Sequence, residues 1–222
     1  SANRMFRIIQ GDVGSGKTIV SFIGALNTIE AGCQVALMAP TEILARQHFE
    51  LAEKMFGGLD VNVSLITGKT EISKKKNILN LLLKNKVNFL IGTHSLFQKK
   101  IKFFNLGLVI IDEQHKFGVR QRIEFAKKGG DNCDVLLMSA TPIPRTMMMS
   151  IYGDMDSSKI KEKPAKRKII KTLSKPESKI NELWPFIKKK IDEGEQIFWV
   201  CPLIEESKKL DYTSAVEKFS FM

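Results

Sequence analysis

The stretch Gly11-Asp12-Val13-Gly14-Ser15-Gly16-Lys17-Thr18 decides the fold. It follows an apolar run at 5–10 and opens an amphipathic stretch at 17–30, so it reads as strand, glycine turn and helix in immediate succession. That is the context the G-x-x-x-x-G-K-[ST] pattern requires. Glycines admit backbone conformations closed to other residues, so successive N–H groups point inward around a phosphate at the positive end of the following helix. On this reading residues 11–18 cradle a nucleotide, Lys17 holds its β- and γ-phosphates, and the Thr18 hydroxyl ligates Mg²⁺. ATP with Mg²⁺ is the expected ligand. The plain alternative is a strand-turn-helix with chance glycines, and the flanking pattern weighs against it.

Outward from this motif, short apolar runs alternate with longer amphipathic stretches, the signature of parallel strands buried on both faces by crossover helices. An α/β fold follows, with a mostly parallel sheet sandwiched by helices. Strands are expected at 5–10, 34–39, 61–67, 87–92, 107–112 and 134–139, and helices at 17–30, 41–56, 71–85, 118–127 and 143–151. In the helix after Thr41, Leu44, Leu51 and Met55 mark one apolar stripe.

Two further strand ends carry polar groups. The run Gly107-Leu-Val-Ile-Ile ends in Asp112-Glu113, and in a parallel sheet that end faces the ligand crevice. Asp112 is read as holding the Mg²⁺ shell and Glu113 as polarising the attacking water. A solvated acid pair is the alternative when the strand is taken alone. Gln114 and His115 follow at once, close enough to sense the γ-phosphate, whereas His48 and His94, each isolated in the sequence, read as structural histidines. Ser139-Ala140-Thr141 closes another apolar strand with two hydroxyls at the same sheet edge.

Composition bounds the remaining possibilities. The 222 residues are 43% hydrophobic and 27% charged, with 15 Gly and 7 Pro, which excludes disordered, collagen-like and low-complexity chains. The formal charge is +11, of which +7 falls within residues 1–155 and +4 after them, so nucleic acid or another polyanion is a live partner. Cys33, Cys133 and Cys201 are odd in number and far apart, giving neither a disulfide framework nor a zinc site. No run is long enough to cross a bilayer and no leader is evident, so a reducing cytoplasm is the expected compartment. The start at Ser1, with a strand by residue 5, is read as following a segment removed upstream.

Taken together, GDVGSGKT at 11–18, APTEILARQH at 39–48, IGTHSLFQ at 91–98, DEQHKFGVRQR at 112–122, SATPIPRT at 139–146, IYGDMD at 151–156 and WVCPLIEES at 199–207 resemble superfamily 2 helicases, and within them the RecG branch-migration family. The transcription-repair coupling translocases share ATPIPRT but carry DEEH, where this chain has Gln114. The resemblance implies a RecA-like P-loop NTPase domain over 1–155, a basic linker over 156–168, and over 169–222 the truncated start of a second RecA-like domain. The restart of alternation after the linker agrees: a strand near 169–173, a helix near 177–192, a strand at 196–201 and a helix from about Ser207.

The family assigns Lys17, Thr18, Asp112 and Glu113 the roles above. It adds that Gln114, His115 and Ser139, Ala140 and Thr141 couple hydrolysis to DNA movement, and that Thr41, Glu42, Arg46, Thr93 and His94 lie along the DNA track. Thr41 reads equally as a helix N-cap. The implied parent is a monomeric ATP-dependent helicase acting on branched double-stranded DNA, at stalled forks and Holliday junctions, in repair and recombination. Departures are Lys116 where the family has Arg, and Pro164-Ala165-Lys166-Arg167 in place of Pro-Pro-Gly-Arg. No GRxGR-like row, upstream wedge domain or adenine-recognising segment occurs in the sequence, so slow hydrolysis is expected of the chain alone. A non-catalytic ATP- or DNA-binding module and a small-molecule P-loop kinase are the rival readings.

Overall fold

Val35-Ala36-Leu37-Met38 is apolar at every position, and a strand of that kind is stable only with both faces covered. The computed structural model of the protein meets that demand. It describes residues 4–98, 100–113, 133–141, 155–162 and 170–200, and the chain divides into two units, Ser1–Arg167 and Lys168–Met222.

In the first unit, β1 (Phe6–Gly11) leads to α1 (Lys17–Glu30), β2 (Gln34–Met38) to α2 (Glu42–Phe56), and β3 (Val63–Ile66) to α3 (Ile72–Leu83). The strands β4 (Phe89–Gly92), β5 (Leu106–Ile111), β6 (Asp134–Ser139) and β7 (Asp156–Ile160) follow. A short 3-10 turn, His94–Phe97, comes after β4. All seven strands join one sheet in the order β3-β4-β2-β5-β6-β1-β7, and every pairing is parallel. The fold class expected from sequence is therefore the one observed. The expected helices 118–127 and 143–151 lie outside the described residues.

Strand side chains alternate between the two sheet faces. Ile8, Ala36, Met38, Val109 and Ile111 fall on one face with Ile78 and Leu82 of α3. Ile9, Val35, Leu37, Ile110 and Met138 fall on the other, with Phe22 of α1 and Ala45, Ala52 and Phe56 of α2. Phe22, Phe56 and Phe89 form an aromatic knot, with ring centroids 5.5 to 5.9 Å apart. Cys133 is buried in the α3-side core, and that burial pushes its thiol up to about 11, so it is a core group and not a nucleophile.

Three expectations are corrected. Residues 156–160, read as part of an exposed connection, form β7 beside β1. The segment Asp-Ser-Ser-Lys-Ile carries no apolar alternation because an edge strand keeps one flank in water, and Arg7 fastens it through Ser158 at 2.8 Å and Asp156 at 2.9 Å. The buried face of α2 is centred on Ala45, His48, Ala52 and Phe56, one residue beyond the Leu44, Leu51, Met55 stripe, because the small alanines let the helix lie close on the sheet while the larger side chains pack at its flanks. In the second unit, residues 170–176 and 195–200 form no strand, since among the described residues no ladder partner is present for either.

That unit consists of a 3-10 turn, Glu177–Glu182, followed by α4 (Leu183–Asp192). Gly194, at φ 78°, ends α4, with its N–H on the Ile191 carbonyl and that of Glu195 on the Lys190 carbonyl. Trp184 stacks on Trp199 at 5.3 Å.

A buried glutamine ties the opposite edge of the sheet from the loops of interest. Gln34 Nε2 donates to the Leu82 and Val87 carbonyls at 2.9 and 2.7 Å, and its Oε1 accepts from the N–H groups of Phe104 and Asn105 at 2.8 and 3.1 Å. One side chain thus satisfies four backbone groups. Gln34→Met keeps the volume and strands the Val87 carbonyl and the N–H groups of Phe104 and Asn105, the Leu82 carbonyl still accepting from the Asn85 N–H, so urea unfolding should show a loss of roughly 3 kcal/mol or more; a loss below about 1 kcal/mol would refute the tie.

Candidate functional site

Parallel strands end together, and the register brings their ends level: Met38 lies beside both Gly92 and Ile111, and Gln10 beside Ser139. Every loop leaving a strand's C-terminal end therefore emerges on one edge. The loop after β1 and the end of β5 flank β6, so Gly11–Thr18 and Asp112 sit two strand spacings apart, about 9–10 Å, with Ser139 between them. The loops after β2 and β4, carrying Thr41 and Thr93, occupy the other half of the same edge.

The glycine loop has the predicted form. Gly14 and Gly16 hold φ of 78° and 94°, the left-handed region in which a side chain is strained, and Gly16 is the N-cap of α1. No side chain caps this helix, so its first N–H groups face the loop's interior. The Ser15 N–H donates to the Asp12 carbonyl at 3.1 Å and the Val13 N–H to Asp12 Oδ1 at 2.8 Å, which close the turn. Lys17 Nζ reaches back to the carbonyls of Gly11 at 2.7 Å and Asp12 at 2.9 Å, placing its ammonium over the loop. The buried Ser15 hydroxyl has no hydrogen-bond partner among the described residues. This donor set fits a triphosphate: amide N–H groups, one ammonium and the positive end of a helix, with the half-buried Thr18 beginning the same helix.

Asp112 leaves β5 with its side chain only 13% exposed. Its N–H donates to the Met38 carbonyl at 2.9 Å, which fixes the backbone against β2. Oδ1 accepts from the Glu113 N–H at 2.9 Å, and Oδ2 accepts from His48 Nε2 at 2.8 Å. Each oxygen keeps a second lone pair, so the carboxylate remains able to serve a hydrated cation. Glu113 is half-buried and has φ of 48°; with Asn85 it is one of two non-glycine residues described in that region. Such a conformation costs on the order of 1–3 kcal/mol and is kept where neighbouring structure enforces it.

The hydroxyl of Ser139 is buried and lies 3.0 Å from that of Thr141, and it accepts the Thr141 N–H at 3.2 Å. Ser139, Ala140 and Thr141 thus form a tight turn between the glycine loop and Asp112. Gln114 and His115 lie outside the described residues. On the other half of the edge, Thr41 is the N-cap of α2, its hydroxyl accepting from the Leu44 N–H at 3.3 Å. Glu42 and Arg46 pair at 2.8 Å one turn apart, and the exposed His94 begins the 3-10 turn after the half-buried Thr93. The five residues assigned to a DNA track lie on loops and helix starts after two hydrogen-bonded strands, β2 and β4.

Sequence reading missed two features. His48 is buried and bonded to Asp112, and the signal that places it inside is the 45, 48, 52, 56 spacing along α2. A groove of about 630 Å³ runs between α2 and α3, lined by Arg46, Glu50, Glu53, Lys69, Thr70 and Lys74 among others. Its charges are mixed, so it is no simple anion site.

The family profile of DEAD/DEAH box helicases matches residues 3–150. The chain belongs to that family. Over all 222 residues it is 46% identical to the ATP-dependent DNA helicase RecG of Thermotoga maritima and 45% identical to that of Bacillus subtilis. It spans 28% and 32% of those proteins' lengths. A solved structure of RecG bound to a three-way DNA junction superposes with a TM-score of 0.78 at 40% identity, covering the whole of this chain and 28% of that one. The RecA-like helicase fold is thereby shown. Among the described residues no helix is long and apolar enough to cross a membrane.

The backbone at Glu113 gives a direct test. Comparing Glu113→Gly with Glu113→Ala removes the carboxylate from both and leaves only the left-handed backbone to distinguish them. Glycine should be the more stable by about 1 kcal/mol in urea unfolding; equal stability, or alanine ahead, would show that residue 113 is not held in that conformation.

Proposed function

We propose that this chain is the ATP-binding motor lobe of a RecG-like DNA helicase, with residues 169–222 opening a second RecA-like lobe. The observation that carries the reading is the convergence of a phosphate-cradling loop and a buried Asp112 on two strands flanking β6, in a chain similar to RecG along its whole length. In this reading residues 11–18 wrap the phosphates, Lys17 neutralises the β- and γ-groups, and Thr18 and Asp112 hold Mg²⁺ directly or through water. The cation supplies charge stabilisation on the phosphoryl group. Glu113 takes the role of base toward the attacking water, and its backbone turn sets the carboxylate's direction beside Asp112.

Coupling follows from position. Ser139 ends the strand between the phosphate loop and Asp112, with Ala140 and Thr141 just beyond it, and β6 is hydrogen-bonded to both flanking strands. Gln114 and His115 belong to the same coupling group by resemblance. Thr41, Glu42, Arg46, Thr93 and His94 are assigned to the DNA phosphates, contacts that position without reading sequence. The whole protein, three times as long or more by its relatives, would use the cycle to drive branched duplex DNA, remodelling stalled forks and migrating Holliday junctions.

The test is nucleotide binding. The chain should bind a fluorescent ATP analogue with Mg²⁺, and Lys17→Ala should weaken binding roughly 10–100-fold, the worth of a charge-assisted contact, while the loss of its two bonds to the Gly11 and Asp12 carbonyls lowers the thermal melt and leaves the chain folded. Unaltered affinity would remove the cradle assignment. Without the arginine clamp of a complete second lobe, turnover of ATP on forked DNA should fall ~10³–10⁵ below that of the full-length protein; turnover matching the full-length protein would refute the lobe assignment.

A further inference from the structure

The hydrogen bond from His48 to Asp112 belongs to none of the roles so far described. His48 lies on α2, two turns beyond its N-cap Thr41, and Asp112 ends β5, 64 residues later in the chain. Both side chains are nearly sealed from water, at 9% and 13% exposure. A carboxylate only accepts, so Nε2 carries the proton and donates it to Oδ2 at 2.8 Å. The other carboxylate oxygen is fixed by the Glu113 N–H, and the backbone of Asp112 by Met38. The imidazole packs edge-on to Phe22 of α1, with centroids 6.5 Å apart, so its ring plane is set by the aromatic knot. With Oδ1 and the backbone already held, the remaining rotation of the carboxylate is governed by His48.

We propose that His48 is a positioning residue for the metal-binding carboxylate: it fixes the orientation of Asp112 toward Mg²⁺ and registers α2, the helix that carries Thr41, Glu42 and Arg46 at its start, to the nucleotide site. The inference rests on the assignment of Asp112 to the Mg²⁺ shell. Its physical basis is general. Groups that orient a metal's ligand tune the metal's affinity by typically 10–100-fold without touching the ion. A histidine that merely fills the core would affect folding and leave metal dependence alone.

The experiment separates these cases. Binding of a fluorescent ADP analogue to the 222-residue chain is titrated with Mg²⁺ in the parent sequence and in His48→Leu, His48→Gln and Asp112→Asn, and repeated in EDTA. Nucleotide affinity in EDTA should be the same in the parent, His48→Leu and His48→Gln, with Asp112→Asn no weaker, since it removes a negative charge beside the phosphates. Asp112→Asn should raise the Mg²⁺ concentration for half-saturation by at least about tenfold, and His48→Leu by about tenfold. His48→Gln, whose side-chain amide donates a comparable hydrogen bond, should stay within about twofold of the parent. A shift for Asp112→Asn with none for His48→Leu overturns the inference and leaves the site reading standing; no shift for Asp112→Asn overturns the site reading and the inference with it.

Should His48→Leu fail to fold, the unsubstituted protein answers. In a long-range ¹H–¹⁵N spectrum, Nε2 of His48 should appear as the proton-bearing nitrogen and move when Mg²⁺ is added to the ADP-bound chain. An Nε2 signal that Mg²⁺ leaves in place refutes the positioning role.

Discussion

Parallel pairing is the constraint on which the rest of this molecule depends. Strands that run the same way must be joined by crossovers, and crossovers cover both faces with helices. That burial is why Val35 to Met38, Phe89 to Ile91 and Val109 to Ile111 are apolar at every position. It also leaves only the strand ends for polar chemistry. Gly11, Ala39, Gly92, Asp112 and Ser139 mark the points at which five strands stop or have just stopped on one edge. A change that reversed one strand would scatter that edge, whatever it did to the core.

The strand order then sorts the edge by task. β5, β6 and β1 are neighbours and hold the acidic, hydroxyl and glycine elements of the proposed nucleotide site. β3, β4 and β2 are neighbours and hold Thr41 and Thr93 nearby. Asp112 lies at the seam, since β5 adjoins β2 and the Asp112 N–H is bonded to the Met38 carbonyl. α2 packs on β3 and β4, its His48 side chain reaching Asp112 at the seam, and its two alanines determine how closely it approaches. With larger residues at 45 and 52 the helix would stand farther from the sheet, and an imidazole at 48 would no longer span to a carboxylate on β5.

Much of this was legible in the sequence, and the exceptions share a cause. α1 starts and ends where the glycine motif and the amphipathic period place it, and six strands fall within a few residues of their expected positions, because apolar runs and glycine turns are local signals. β7 was invisible because what holds it is distant: Arg7 reaches Asp156 and Ser158 across about 150 residues of chain, bonds of separation 149 and 151. His48 reads as a structural histidine because it stands alone in the sequence; its partner, Asp112, is supplied by the fold. The left-handed backbone of Glu113 was equally hidden, since glutamate gives no hint of it. The glycine loop, Lys17, Thr18 and the Asp112-Glu113 pair stand out as candidates in the sequence because their chemistry is written in adjacent residues.

The proposed phosphate loop also carries its own answer to how it stays formed while leaving donors for a ligand. Lys17 Nζ spends two of its three protons on the carbonyls of Gly11 and Asp12, bonds that bend the loop into a ring. One proton remains, so a first phosphate contact requires no loop bond to break. The further gain is electrostatic: an anion beside an ammonium and a helix N-terminus is favoured over neutral carbonyls, each such charge-assisted bond being roughly twice as strong as a neutral pair. The glycines at 14 and 16 supply the left-handed backbone that this ring requires. Loop rigidity and ligand capture therefore draw on different protons of one ammonium, and a substitution that removes the ammonium removes both.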